Sequence, residues 1–355
     1  MNASLAIPFE SPFAFAVCNA GSEVWLKADV AARHGTLLRP AFMRPQLITW
    51  KSDSMLGPDF ALASPFARLS GLSLGSAKTE SDIIALAAKL GARPLHLHVF
   101  PREVPENGLA QEEWARLDAW RDRIAATLRS GGIVLEETLE AGAMVLDVIV
   151  ESSPDAPFFV GVHLHGPGSH GSAGGLARVT LLPEAPSRAW LKLEQALAWA
   201  GLDGMQALTG KMALELGCAP GGATYALLQR GVSVVGVDTA AMDPRVTEFT
   251  GPEGARLIHL AMAVGEVPAA LVPRQVDMLV SDLNLAPPVM LRYVERFQKH
   301  VRAKLLVLTV KLNDDEMVAR IPSFIETIRS FAPIPMRVTQ LPANRAELCV
   351  VAGSL

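Results

Sequence analysis

Along the second half of the chain, short apolar runs alternate with longer stretches whose apolar residues recur every three or four positions. The runs are Met212–Leu216, Val232–Val237, Arg256–Leu260, Val276–Val280 and Lys304–Val310. Near-continuous runs of this length predict strands buried on both faces of a parallel sheet. Helical stretches at Gly221–Arg230, Pro288–Arg302 and Asp315–Ser330 follow most of them, which is the β-α-β alternation of a doubly wound sheet. Two more strands, Met336–Leu341 and Glu347–Val351, are joined by Pro342-Ala-Asn-Arg-Ala346. That connection is short enough for a hairpin, so the last strand is predicted antiparallel to its neighbour.

The first half is patterned differently. Extended runs at Phe13–Cys18, Gln46–Lys51, Pro94–Phe100, Met144–Glu151 and Phe158–His165 lie between helical stretches. The strongest of these is Ala110–Arg129, where Trp114, Leu117, Trp120, Ile124 and Leu128 share one face. The pattern favours two small α+β units over one large sheet. We place them at residues 1–72 and 73–170, followed by a linker at 171–185 and a larger α/β domain at 186–355. The glycine-rich stretch Gly166–Gly175 fits a linker and a long turn equally well.

Composition narrows the class. At 355 residues the chain exceeds one core, and with half its residues hydrophobic and 19% charged it is globular. No apolar run is long enough to span a bilayer, and the opening MNASLAIPFESPF has no basic signal-peptide region. Cys18, Cys218 and Cys349 are isolated, which excludes a disulfide scaffold and fits a reduced, cytoplasmic setting. Net charge is −4, with 16 basic and 20 acidic residues before position 191 and 16 of each after it. Charge alone leaves the partner open.

Chemistry concentrates where the first strand of the second half ends, in Leu214-Glu-Leu-Gly-Cys-Ala-Pro-Gly-Gly222. Glycines at 217, 221 and 222 let backbone approach a ligand at a helix N-terminus. Ala219 and Pro220 depart from G-x-G-x-x-G, so a pyrophosphate cradle is disfavoured. Asp238 ends the next strand, where a carboxylate accepts from both hydroxyls of a ribose. A nucleoside with a non-phosphate arm fits this pair, and S-adenosylmethionine has that form. Asp282 and Lys311 fall at the carboxyl ends of the fourth and fifth strands, where ligands of such sheets bind. An antiparallel final strand brings its first residue, Glu347, to the same rim.

The segment Glu215-Leu-Gly-Cys-Ala-Pro-Gly-Gly222 resembles motif I of the FtsJ-type RNA ribose 2′-O-methyltransferases, and Val237–Pro244 resembles the segment after their second strand. Pro186-Ser-Arg-Ala-Trp-Leu-Lys-Leu-Glu194 is similar to the lead-in of the RlmM branch, the 23S rRNA cytidine 2′-O-methyltransferases. The resemblance covers 186–355, and more weakly 1–175, where that branch carries a ferredoxin-like unit followed by a THUMP domain. It implies a Rossmann-like methyltransferase sheet, S-adenosylmethionine as cofactor, and 23S rRNA or a pre-ribosomal particle as partner. It also implies that Lys192, Asp282, Lys311 and Glu347 form the tetrad of ribose methylation. The cofactor set would be Glu215, Gly217, Ala219, Pro220, Gly221, Gly222, Asp238 and Asp282. One departure is His259-Leu-Ala-Met-Ala263, where the family often has an acidic residue that reads the adenine amino group.

Other signals weigh less. His96/His98 and His163/His165 form two His-Leu-His pairs, each on one face of a strand. With no cysteine nearby and few carboxylates, no metal is expected. The prolines of Leu285-Ala-Pro-Pro288 start a helix as readily as they stiffen a substrate rim. Trp190 and Tyr225 read as core rather than base-stacking residues. Two alternatives to an RNA methyltransferase stand beside it. The acidic balance favours a small-molecule O-methyltransferase, and a non-catalytic ribosome-assembly factor that retains S-adenosylmethionine is the other.

Overall fold

The computed structural model describes residues 9–153, 155–166, 169–204 and 207–355. They divide into two units, one of residues 1–105 and 109–178, the other of residues 106–108 and 179–355. No helix among the described residues is long and apolar enough to cross a membrane.

The first unit contains, in chain order, β1 (Ser11–Val17), α1 (Glu23–His34), β2 (Leu38–Arg44), β3 (Leu47–Leu56), β4 (Leu69–Ala77), α2 (Glu80–Ala87), β5 (Leu95–Pro101), α3 (Gln111–Ser130), β6 (Leu135–Glu136), β7 (Met144–Val150) and β8 (Phe158–Leu164). Its strands form one eight-stranded sheet in the order β2-β3-β1-β4-β8-β7-β5-β6. β1 and β2 both run antiparallel to the β3 between them, so β1-α1-β2 is a split β-α-β arrangement. Helix α3 buries Leu117, Ile124 and Leu128, the face that its three-and-four spacing predicts.

One continuous sheet runs through both of the expected α+β units. β4 pairs with β1 along one edge and with β8 along the other, and the expected boundary at 72/73 falls inside it. The strand reads LSGLSLGSA, and its serines and glycines dilute the apolar signal below notice. β2 escaped for another reason: beyond Leu38 all its residues are exposed, so no alternation marks it. The glycine-rich stretch is not a free linker either. Pro167 and Gly168 lie outside the described residues, but Arg68 Nη1 donates to Gly174 O at 3.3 Å, and Leu176 is buried.

The second unit contains α4 (Ala189–Trp199), β9 (Met212–Leu216), α5 (Gly222–Gln229), β10 (Ser233–Val237), α6 (Pro244–Thr247), β11 (Leu257–Leu260), β12 (Met278–Ser281), α7 (Pro287–Val301), β13 (Leu305–Lys311), α8 (Asp315–Ala319), α9 (Ile321–Arg329), β14 (Met336–Thr339) and β15 (Glu347–Gly353). The sheet order is β11-β10-β9-β12-β13-β15-β14. β9 to β13 pair in parallel. β15 inserts antiparallel between β13 and β14. This is a Rossmann-like sheet with the expected reversed last strand. The helix expected over 315–330 is instead two, because Pro322, which lacks a backbone N–H, opens α9. The proline pair at 287–288 starts α7.

One buried ion pair ties α4 to the end of α5. Arg230, just past α5, donates to both carboxylate oxygens of Glu194 on α4, at 2.7 and 2.5 Å, and to the carbonyls of Leu202 and Asp203 at 3.2 and 3.1 Å. Both side chains are under 10% exposed. Removing one partner strands a charge in the interior, which typically costs ~3–5 kcal/mol. Glu194→Ala should therefore lose about that much stability by denaturant titration, whereas a loss below about 1 kcal/mol, the range of exposed pairs, would show the pair is dispensable.

Candidate active site

The sheet order reverses between β9 and β12, and the turns that leave these two strands form the crevice where ligands of open α/β sheets bind. The turn after β9 runs through Gly217–Gly221 into α5. Gly217 has φ +83°, and a Cβ there would lie 3.1 Å from Asp282 O and Leu283 N, in the chain leaving β12. Gly221 has φ +114°, and its Cβ would meet Val246 Cγ2 at 2.7 Å. Both positions combine a left-handed φ with a crowded Cβ, so the turn requires glycine at 217 and 221.

Asp238 follows β10 beside this turn. One carboxylate oxygen accepts from Ala219 N–H at 3.1 Å and the other from Ala240 N–H at 2.9 Å. These bonds fix its orientation and leave each oxygen a further lone pair for a ligand's hydroxyl. His259 contacts the Asp238 carbonyl through Nε2 at 3.1 Å. Glu215 lies within β9, fully buried, with Thr224 Oγ1 donating to its Oε2 at 2.6 Å. Burial pushes its carboxyl up to about 8 against the Thr224 bond, and the nearby Asp282 and Asp238 carboxylates push the same way. The glycine turn and the aligned Asp238 fit a nucleoside-type cofactor. Glu215 sits beneath that site as a neutral acid.

Four charged side chains close the rim. Lys311 is the last residue of β13 and Glu347 the first of β15, and the two are directly paired in register. Asp282 follows β12, and Lys192 projects from α4. Lys311 Nζ lies 2.7 Å from Asp282 Oδ1 and 2.6 Å from Glu347 Oε1. Lys192 Nζ lies 3.1 Å from Asp282 Oδ2 and 2.7 Å from Glu347 Oε2. Each ammonium thus touches both carboxylates, and each carboxylate touches both ammoniums. All four are 12–17% exposed. Burial disfavours both charged forms. It is outweighed at Asp282 by the two lysines, which hold its carboxyl below the usual range, and at Lys311 by Asp282 and Glu347, which hold its ammonium above.

The structure brings together every residue that the sequence assigned to the tetrad. It adds partners that sequence reading missed. Asn344 Nδ2 lies 3.4 Å from Glu347 Oε2. Arg345 Nε and Arg188 Nη1 reach Glu106 Oε2 at 2.6 and 3.3 Å. Asn344 and Arg345 sit in the turn read only as a hairpin connection. Glu106 is remote in sequence, and nothing local marks it. Trp190 is buried, its Nε1 donating to Gln229 at 2.8 Å, and Tyr225 packs on Phe249 at 5.1 Å, both core roles as expected.

Residues 185–319 match the FtsJ-like methyltransferase family. Curated relatives include "Ribosomal RNA large subunit methyltransferase M" of Halorhodospira halophila, 28% identical over 179 residues, and of Xylella fastidiosa strain M12, 30% identical over 188 residues. These matches cover 50% and 51% of this chain, and 50% of each relative. The chain thus spans about half the length of the curated relatives it matches. Among solved structures, TrmN from Thermus thermophilus aligns with 96% of this chain and 99% of its own at 14% identity and TM-score 0.33. A fibrillarin pre-rRNA processing protein from Methanococcus jannaschii aligns with 59% and 82% at 14% identity and TM-score 0.37.

The Glu215 carboxyl makes a prediction about pH. Below about 4.5 both folded and unfolded chains hold its proton. Between there and about 8 only the folded chain does, so stability falls as pH rises through that window and levels off above it. Glu215→Gln keeps the shape and the Thr224 bond but has no proton to lose. Its thermal midpoint, relative to wild type, should climb from pH 5 to pH 8 by scanning calorimetry. An offset independent of pH would mean that Glu215 is ionised in the folded chain.

Proposed function

We propose that this chain, whose residues 185–319 form an FtsJ-like methyltransferase domain, is an S-adenosylmethionine-dependent ribose 2′-O-methyltransferase acting on a cytidine of 23S rRNA. One observation carries the reading: the closed square of Lys192, Asp282, Lys311 and Glu347 stands at the sheet's switch point, directly beside the glycine turn. The names of the relatives support a large-subunit rRNA substrate, either free or in an assembling particle. We assign the N-terminal unit, with its ferredoxin-like and THUMP-type portions, to presenting the RNA.

Residues 217–222 and Asp238 would hold the cofactor. When bound, S-adenosylmethionine supplies a methyl group on a sulfonium, a leaving group that needs little further activation. The chain's own work is to align the ribose oxygen and to take its proton. Lys311 is the base of this proposal. Asp282 and Glu347 hold its nitrogen in place and keep it protonated in the resting site, so the small neutral fraction is the reactive one. Lys192 balances the two carboxylates and keeps them aimed at Lys311. The transfer rate should therefore rise with pH.

A positioned base contributes typically ~10²–10⁴-fold, so Lys311→Ala should transfer methyl at least ~100-fold more slowly while binding S-adenosylmethionine normally. Lys311→Arg should not restore the rate, because a guanidinium keeps its proton, and the pH dependence should vanish in both. Near-wild-type activity in Lys311→Arg would reduce Lys311 to a positioning charge. The substrate is tested with labelled-methyl transfer to rRNA from a strain lacking the gene, the product nucleoside being identified by mass spectrometry. The expected product is 2′-O-methylcytidine. Methylation of a metabolite but not RNA would point to a small-molecule enzyme, and cofactor binding without transfer to a retired one.

A further inference from the structure

The two His-Leu-His pairs meet on one face of the N-terminal sheet, and a carboxylate joins them there. His98 on β5 stands opposite Asp147 on β7 in register, and His163 lies on the adjacent β8. Their side chains are 4%, 0% and 6% exposed. His163 Nδ1 makes one short contact with Asp147 Oδ2, at 2.6 Å. The other carboxylate oxygen is 3.7 Å from His98 Nδ1, beyond hydrogen-bonding distance. Asp147 Oδ1, His98 Nδ1 and His163 Nε2 are all buried with no hydrogen-bond partner.

Buried polar groups in folded proteins are nearly always paired, so an unpartnered atom on each of three clustered residues calls for a ligand. Two imidazoles and a carboxylate, each offering one atom, lie within 4.8 Å of one another. Donors at about 2.0–2.2 Å from a four-coordinate ion lie ~3.4 Å apart, so side-chain rotation must draw the wider pairs together on binding. An N₂O set suits zinc and its transition-metal neighbours rather than magnesium or calcium. His96, its ring 5.1 Å from that of His98, lines with His98 a cavity of about 430 Å³.

The geometry points to a divalent transition-metal site of the zinc class, ligated by His98, Asp147 and His163, that fastens β5, β7 and β8 together. Sequence reading set these histidines aside for want of a carboxylate. Asp147 supplies it from a strand about fifty residues from one pair and sixteen from His163.

The test uses the full chain, freed of metal with a chelator and titrated with ZnCl₂ by calorimetry and with CoCl₂ by visible absorption. One equivalent should bind, with the visible bands of a four-coordinate cobalt site and a raised thermal midpoint. His163→Gln and Asp147→Asn should each weaken zinc binding by more than the roughly 10–100-fold that loss of an outer partner costs, while His300→Gln, in the other unit, should not. Absence of stoichiometric binding to wild type, or unchanged affinity in both cluster variants, would overturn the site and leave a buried His–Asp ion pair. Because loss of a buried ligand can unfold the chain, the zinc-loaded wild type is also examined by X-ray absorption at the zinc edge: two imidazole nitrogens should surround the ion, and a shell without imidazole would overturn the site as well.

Discussion

Two ammoniums and two carboxylates that neutralise one another govern the architecture of the second unit. No member of the square is satisfied alone, and each comes from a different part of the fold. Lys311 and Glu347 face each other only because β15 runs antiparallel to β13. A parallel last strand would start at the opposite end of the sheet and leave Lys311 and Lys192 without their second acceptor. Lys192 arrives from α4, which the Glu194–Arg230 pair anchors two residues further along. With the four side chains mostly out of water, loss of any one leaves a net charge that the remaining three hold poorly.

The same backbone serves the square and the glycine turn. Asp282 contributes its carboxylate to the square, while its carbonyl packs against Gly217 so closely that a Cβ would be crowded. Moving either strand end would disturb both. Glu215 sits beneath the turn with its proton retained, so the region under the crevice adds no further negative charge at neutral pH.

The C-terminal half was legible because its strands are buried on both faces and read as unbroken apolar runs, while helices begin at glycine and proline. Asp282, Lys311 and Glu347 followed from strand ends alone; Lys192 needed the family resemblance, since a lysine on a helix carries no positional signal. The N-terminal half was less legible. An exposed β2 and a serine- and glycine-rich β4 hid the continuity of its sheet. Asn344, Glu106 and the Asp147 cluster depend on contacts between residues distant in sequence, which periodicity does not encode.

The account stands or falls on whether the four charges act as one unit. A double-mutant cycle on Lys192 and Glu347, read as the single-turnover rate of methyl transfer to rRNA with saturating cofactor, tests this directly. If the square acts as a unit, Lys192→Met and Glu347→Gln together should cost little more than the worse single change, because either one already breaks it. Losses that multiply would show that Lys192 and Glu347 contribute separately, and would contradict the square as the working element of the site.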